Sequence, residues 1–261
     1  MHFTKMQGLG NDYLYVWGEV PADIAALSRR LSDRHFGAGA DGMIYIAPCD
    51  KADFSMRIFN ADGSQANMCG NGIRCVGKYV FEKGYTDKTR ITVDTLSGIK
   101  TLHLSVEEGK VETVSVEMGT AAVEAEVQVE AAGQTVTLIP VDVGNPHAVI
   151  FCEDAESAPV AELGSAIEKH PHFPGGVNVE FVSLLKPDTL RMRVWERGSG
   201  ITMACGTGAC ASVAAAVQKG LCARGNAVEI VLDGGSLFVE VGQHNEILMR
   251  GSAAFVYEGE I

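Results

Sequence analysis

The 261-residue chain has no apolar run approaching the ~18 residues a membrane-spanning helix needs. Its first stretch, MHFTKMQGLGNDY, lacks the apolar centre of a signal peptide. Basic side chains are in the minority: 21 Lys and Arg stand against 33 Asp and Glu, a formal net charge of −12. That balance argues against a nucleic-acid groove or an anionic membrane surface, because both select clustered cations. No C-x-x-C pair occurs, so a zinc ribbon or finger is not expected. The G-x-x-x-x-G-K-[ST] phosphate loop is missing as well. There is no low-complexity linker. Seven cysteines, an odd number, argue against a disulfide framework in a reducing compartment. The expectation is a cytoplasmic globular protein that binds neither nucleic acid nor membrane.

What is present is a composition of 46% hydrophobic and 21% charged residues, that of an ordered, soluble fold. It also contains a hidden repeat. Cys205 follows Cys69 by 136 residues, and the same offset carries other stretches without a gap. Met56-Arg57-Ile58-Phe59 lands on Met192-Arg193-Val194-Trp195, and Lys83-Gly84-Tyr85 lands on Lys219-Gly220-Leu221. Ile24, Leu27 and Leu31 land on Val160, Leu163 and Ile167. With a two-residue slip, Gly10-Asn11 matches Gly144-Asn145. A register held this long predicts two copies of one domain in tandem. The division expected is residues 1–115 and 116–251, with a last strand within about 252–261 returning to the first copy.

Each copy has one plan. An amphipathic helix is expected from about Pro21 to the glycines at 37 and 39, with a twin near 158–170. A strand follows at 54–59 or 189–195. A turn then leads to a cysteine, glycines and a second helix, at about 71–82 and 207–218. Gly84 and Gly220 stand where a left-handed helix cap belongs. The second version of that helix, GACASVAAAVQ, is small and apolar almost all round, the mark of a buried helix. Alternating segments at 99–106, 111–118, 123–129, 135–143, 227–232, 237–241, 246–250 and 253–258 read as strands. The fold class expected is α+β: two pseudo-symmetric domains, each a curved, mostly antiparallel sheet wrapped around a central helix, with the active site in the cleft between domains.

The two cysteines in NMCGNGIRC (67–75) and ACGTGAC (204–210) precede those second helices. The first N–H groups of a helix have no internal acceptor, and with the helix dipole they favour an anion. Glycine lets a ligand approach the backbone. Gly70-Asn71 and Gly206-Thr207 are therefore candidate cradles for a carboxylate or phosphate, and a thiol beside such a cradle is biased toward thiolate. A lone C-G-x-G is more often structural than catalytic. Its recurrence at both equivalent positions favours a pair of thiols that bracket one carbon, one removing a proton and the other returning it. Cys75 and Cys210, inside the helices, are read as core. Cys49, Cys152 and Cys222 have no motif.

FNADGSQANMCGNGIRC (59–75), ERGSGITMACGTGAC (196–210), GLGNDY (8–13), GNPHAV (144–149) and GVNVEF (176–181) resemble the signatures of the diaminopimelate epimerase family, in its order and across nearly the whole chain. The resemblance implies an epimerase that uses no cofactor and no metal. It would interconvert LL- and meso-diaminopimelate, for lysine and peptidoglycan precursors, and would act as a homodimer. By motif it assigns Cys69 and Cys205 as the acid–base pair, tuned by His147 and Glu196. Gly70, Asn71, Gly206 and Thr207 would hold the α-carboxylate. Asn11, Asn60, Asn145, Asn178, Glu196 and Arg197 would hold the rest of the substrate, with Arg197 offering a bidentate fork to the distal carboxylate.

The chain departs from the family pattern at Gly42, where many members carry glutamine, and at Asn67 and Ile201, where many carry acidic residues. A glycine at 42 removes one substrate hydrogen bond. Sibling racemases of proline, histidine or lanthionine type are the main alternatives. Proline types usually carry histidine where this chain has Asn71. A phenazine-type isomerase and a non-enzymatic zinc-binding or scaffold protein are the others.

Overall fold

The computed structural model describes residues 1–261. The chain divides into two compact units, Met1–Val116 with Gly251–Ile261, and Glu117–Arg250. Both contain two helices and a curved sheet.

In the first unit, His2–Gly8 pairs antiparallel with Asn11–Trp17 on one side and with Ala254–Glu260 on the other. Asn11–Trp17 runs parallel to Gly42–Pro48, which is antiparallel to Phe54–Asn60. Phe54–Asn60 is then parallel to Arg90–Thr95, and the meander Gly98–Glu107 and Lys110–Thr120 follows. Helix α1 (Ile24–Ser32) packs on Gly42–Pro48 and Phe54–Asn60. Its Leu31 joins Leu14, Met43 and Phe59 in one core, a burial worth about 1.5–3 kcal/mol for such a side chain. Helix α2 (Gly70–Glu82) lies against His2–Gly8, Asn11–Trp17 and Gly98–Glu107, so the sheet curls around it.

In the second unit, Gln134–Asp142 is antiparallel to Pro146–Phe151, which runs parallel to Asn178–Lys186. Thr189–Glu196 follows antiparallel, then Ala227–Leu232 parallel, then Gly235–Val241 and Glu246–Gly251 antiparallel. The parallel pairs occupy equivalent places in both units: Leu14 opposite Met43 matches Ala148 opposite Val179. Helix α3 (Val160–Glu168) buries Leu163 and Ile167 against Ile150 and Phe181. Helix α4 (Gly206–Gln218) is buried on almost every residue, as its all-round small apolar sequence demands.

Three boundaries differ from the sequence expectation. Helix α1 begins at Ile24 and stops at Ser32, because the Asp33 carboxylate accepts from the amides of His35 and Phe36 at 2.8 Å each and bends the chain away. The twin α3 is likewise shorter than 158–170. The alternating stretch 123–129 is two strands, Ala122–Val123 and Val127–Ala131, interrupted where the Glu124 amide turns to the Pro140 carbonyl at 3.0 Å. Gly84 and Gly220 adopt the left-handed conformation, φ 75° and 73°, and close α2 and α4.

Candidate active site

Cys69 and Cys205 are the N-cap residues of α2 and α4. Both have extended backbone, φ −136° and −113°, and each Sγ accepts from the amide three residues on, Gly72 N or Gly208 N, at 3.3 Å. Serine, threonine or aspartate usually does this. Here each sulfur is tied to the first turn of a helix, where the leading amides have no acceptor within the helix.

The first unit gathers Asn11, Tyr13, Cys69, Gly70 and Asn71. The Cys69 thiol donates to Asn11 Oδ1 at 3.2 Å, and Asn11 Nδ2 donates to Asp41 at 2.8 Å. Asp41 also accepts from Arg34 and the Asp12 amide, so the Asn11 amide has one orientation. Tyr13 is buried beside Asn11 and Cys69, and burial pushes its phenol well up from the ordinary value. Asn71 is held by Arg74, a fully buried guanidinium that donates to Asn71 Oδ1 and the Gly70 carbonyl, both at 3.1 Å, and to the Ser252 carbonyl. Asn60 stands at a strand end, where its amide donates to Ser64 Oγ at 3.0 Å. A β-carbon at Gly42 would stand 2.2 Å from the Phe59 carbonyl oxygen, so the backbone here is built for glycine.

The second unit gathers Asn145, His147, Glu180, Glu196, Cys205 and Thr207. The Cys205 sulfur lies 3.6 Å from Thr207 Oγ1, which accepts from Asn145 Nδ2 at 3.4 Å. Glu196 accepts from Thr202, and burial raises its carboxyl above the ordinary value. Burial, then the carboxylates of Glu196 and Glu180, push the Cys205 thiol well up, so they outweigh the helix start and overturn the bias toward thiolate expected there from the sequence. His147 Nδ1 lies 2.6 Å from Glu180 Oε1, with both side chains fully buried. Asn178 Oδ1 accepts from the Arg197 amide at 2.8 Å, and the Arg197 guanidinium donates to the Gly175 carbonyl at 2.8 Å. Arg197 borders a cavity of about 520 Å³ that Glu168, Lys169, His170 and Phe173 also line.

The sequence reading missed Asp41, Tyr13, Arg74 and Glu180. Asp41, next to Gly42, and Glu180, two residues past Asn178, lie inside or beside blocks it had marked. Arg74, four residues into GNGIRC, offered a cation on a face that must be buried.

Chains of known structure with the same fold include a probable proline racemase from Agrobacterium radiobacter, TM-score 0.76 at 18% identity, covering 100% of this chain and 92% of that one. A predicted epimerase from Pseudomonas aeruginosa gives TM-score 0.75 at 18% identity, covering 100% and 98%. A phenazine biosynthesis protein from Bacillus anthracis gives 0.76 at 13%, covering 100% and 98%. The fold is thus the one shared by these racemases, epimerases and phenazine proteins. The diaminopimelate epimerase profile matches residues 3–124 and 139–256. Named diaminopimelate epimerases from Bacteroides thetaiotaomicron, 51% identical over 99% of this chain and 97% of that one, and from Acetivibrio thermocellus, 46% identical over 100% and 98%, align over nearly their whole length. The chain belongs to the diaminopimelate epimerase family.

Proposed function

We propose that this protein interconverts LL- and meso-2,6-diaminopimelate by moving the α-proton through Cys69 and Cys205. The observation that carries this reading is the repeated N-cap thiol, set at the same helix position in both units of a chain from this family. Inversion of a carbon needs a base on one face and an acid on the other. A thiolate takes the proton and a thiol returns one, so the chemistry draws on no cofactor and no metal. Each positioned proton-transfer group contributes roughly 10²–10⁴-fold. The α-proton is a weak acid, so the developing enolate also needs donors. The first-turn amides at Gly70-Asn71 and Gly206-Thr207 supply them, at about 3–4 kcal/mol for a well-placed donor.

In this reading Asn11 aligns the Cys69 thiol, and His147 and Glu196 set the charge around Cys205. Asn60, Asn145 and Asn178 meet an ammonium or carboxylate with a group that both donates and accepts. Arg197 takes the distal carboxylate. The reading places the protein in the cytoplasm as a homodimer acting on a free small molecule in lysine and peptidoglycan precursor synthesis. Light scattering tests the dimer.

The deciding experiment incubates reduced protein in D₂O with LL-diaminopimelate and, separately, with proline, histidine and lanthionine. Deuterium uptake is read by mass spectrometry and configuration by chiral chromatography. Exchange and inversion of diaminopimelate alone, lost in Cys69→Ala and Cys205→Ala, is the expected result. Exchange of another substrate instead would move the specificity, and exchange that survives both substitutions would refute the thiol pair.

A further inference from the structure

The two thiol sites share a frame but not its filling. In the second unit, Val149 is the register partner of Glu180; in the first, Tyr15 is the register partner of Ile44 at the same place. The glycines that donate to the two sulfurs look onto these residues. A β-carbon on Gly208 would stand 2.6 Å from Glu180 Oε1 and 3.2 Å from Cys205 Sγ. A β-carbon on Gly72 would meet Ile44 Cδ1 at 2.8 Å instead. So the glycine that caps Cys205 turns its open face to a carboxylate, and the glycine that caps Cys69 turns the same face to a methyl group. Glu180 is fully buried and its Oε1 is engaged by His147 Nδ1 at 2.6 Å. Neither Oε2 of Glu180 nor Nε2 of His147 has another hydrogen-bond partner, so each of these side chains depends on the other.

A fully buried carboxylate is expensive to keep and needs a reason. Ile44 shows that the frame closes without one. We infer that Glu180 is a positioning residue for Cys205: it fixes His147 on one side and the first turn of α4 on the other, and so makes the two thiols chemically unequal. The inference rests on the acid–base role proposed above for Cys205. The carboxylates facing Cys205 are Glu180, from Asn178–Lys186, and Glu196, from Thr189–Glu196. His147, from Pro146–Phe151, faces both of them. With Glu180 present, the Cys205 environment disfavours a further anion, and removing that one charge favours the thiolate.

The test needs no substrate, so it reads out even if the protein fails to epimerise diaminopimelate. Wild type, Glu180→Gln and Glu180→Asp are treated with iodoacetamide from pH 6 to 10, and alkylation of Cys69 and Cys205 is followed separately by peptide mass spectrometry. Only the thiolate reacts, so one unit in the midpoint is a tenfold change in rate below it. In Glu180→Gln the Cys205 rate near pH 7.5 is expected to rise about tenfold relative to Cys69. Glu180→Asp, which keeps the charge, returns that ratio toward wild type. A Cys205-to-Cys69 ratio that stays within twofold of wild type in Glu180→Gln would overturn the inference. So would a parallel rise at both cysteines, because that is general loosening.

Discussion

Placing the same substitution at the two equivalent glycines separates shared frame from unequal filling. Gly72→Ala and Gly208→Ala each add one methyl group to the first turn of a helix. Alanine gains about 0.5–1 kcal/mol there by restricting the unfolded chain. At Gly72 the methyl meets Ile44 Cδ1 at 2.8 Å and Met56 Cε at 3.2 Å, the far ends of two flexible side chains. Their shift costs about 1 kcal/mol, the low end for overpacking, so the net effect stays within about 1 kcal/mol of wild type. At Gly208 the methyl strikes the Glu180 oxygen that holds His147, and Cys205 Sγ behind it. Pushing that carboxylate aside strands two buried polar groups at about 1–3 kcal/mol each. The expected net loss is about 2–4 kcal/mol. Each unit carries one tryptophan, Trp17 and Trp195, so guanidinium unfolding followed in Trp17→Phe and Trp195→Phe backgrounds reports the units separately. Gly208→Ala should lower the midpoint seen through Trp195. A loss at Gly208 within 1 kcal/mol of that at Gly72 would show that Glu180 is not locked and would refute the reasoning.

Two further outcomes test separate parts of the molecule. Asp53 accepts from Lys88 and from the amide and hydroxyl of Thr92, which lower its carboxyl from 3.8 to about 2. A depressed carboxyl stabilises the fold above its ordinary value and loses that contribution as pH falls toward about 2. Asp53→Asn should therefore destabilise the first unit by about 1–2 kcal/mol near pH 7, discounted because Lys88 is largely in solvent, and the gap from wild type should shrink as pH falls from 4 to 2. A gap independent of pH would contradict it. Arg197→Lys keeps the charge and loses the two-pronged donor, so kcat/KM for diaminopimelate should fall about tenfold or more, mostly through KM. A change under twofold would remove Arg197 from substrate binding.

Much of the fold was legible because duplication doubled every local signal. The stripe Ile24, Leu27, Leu31 was supported by Val160, Leu163, Ile167, and the ends of α2 and α4 at Glu82 and Gln218 were marked by Gly84 and Gly220. The thiols were visible as residues in front of a helix, although their capping role appears only once the Sγ to amide distance is known. What stayed hidden is what depends on distant strands. Glu180 sits in a strand buried on both faces over its first six residues, so alternation gave no reason to point it inward. Its partner lies on a neighbouring parallel strand, joined through α3 by a connection of many residues. Asp41 gains its role from Asn11 and Arg34, both earlier in the chain and brought to it only by folding. The departure at Gly42 looked like a lost hydrogen bond, yet the Phe59 carbonyl leaves no room there for any side chain.

The pairing of His2 with Glu260 has a consequence for how the protein is made. The second unit is one continuous stretch of chain, and the first is not. During translation, every strand of the second unit is synthesised before the strand Ala254–Glu260. Until it arrives, His2–Gly8 has a neighbour on one side only and leaves an open row of backbone donors and acceptors. Phe3, only 3% exposed in the finished fold, also waits for the Tyr257 ring that packs against it. At about 5–20 residues per second the wait is roughly 10–50 seconds. The unit synthesised first is therefore the unit completed last, and its unpaired edge is where a nascent chain of this protein is most open to mispairing or to capture by a chaperone.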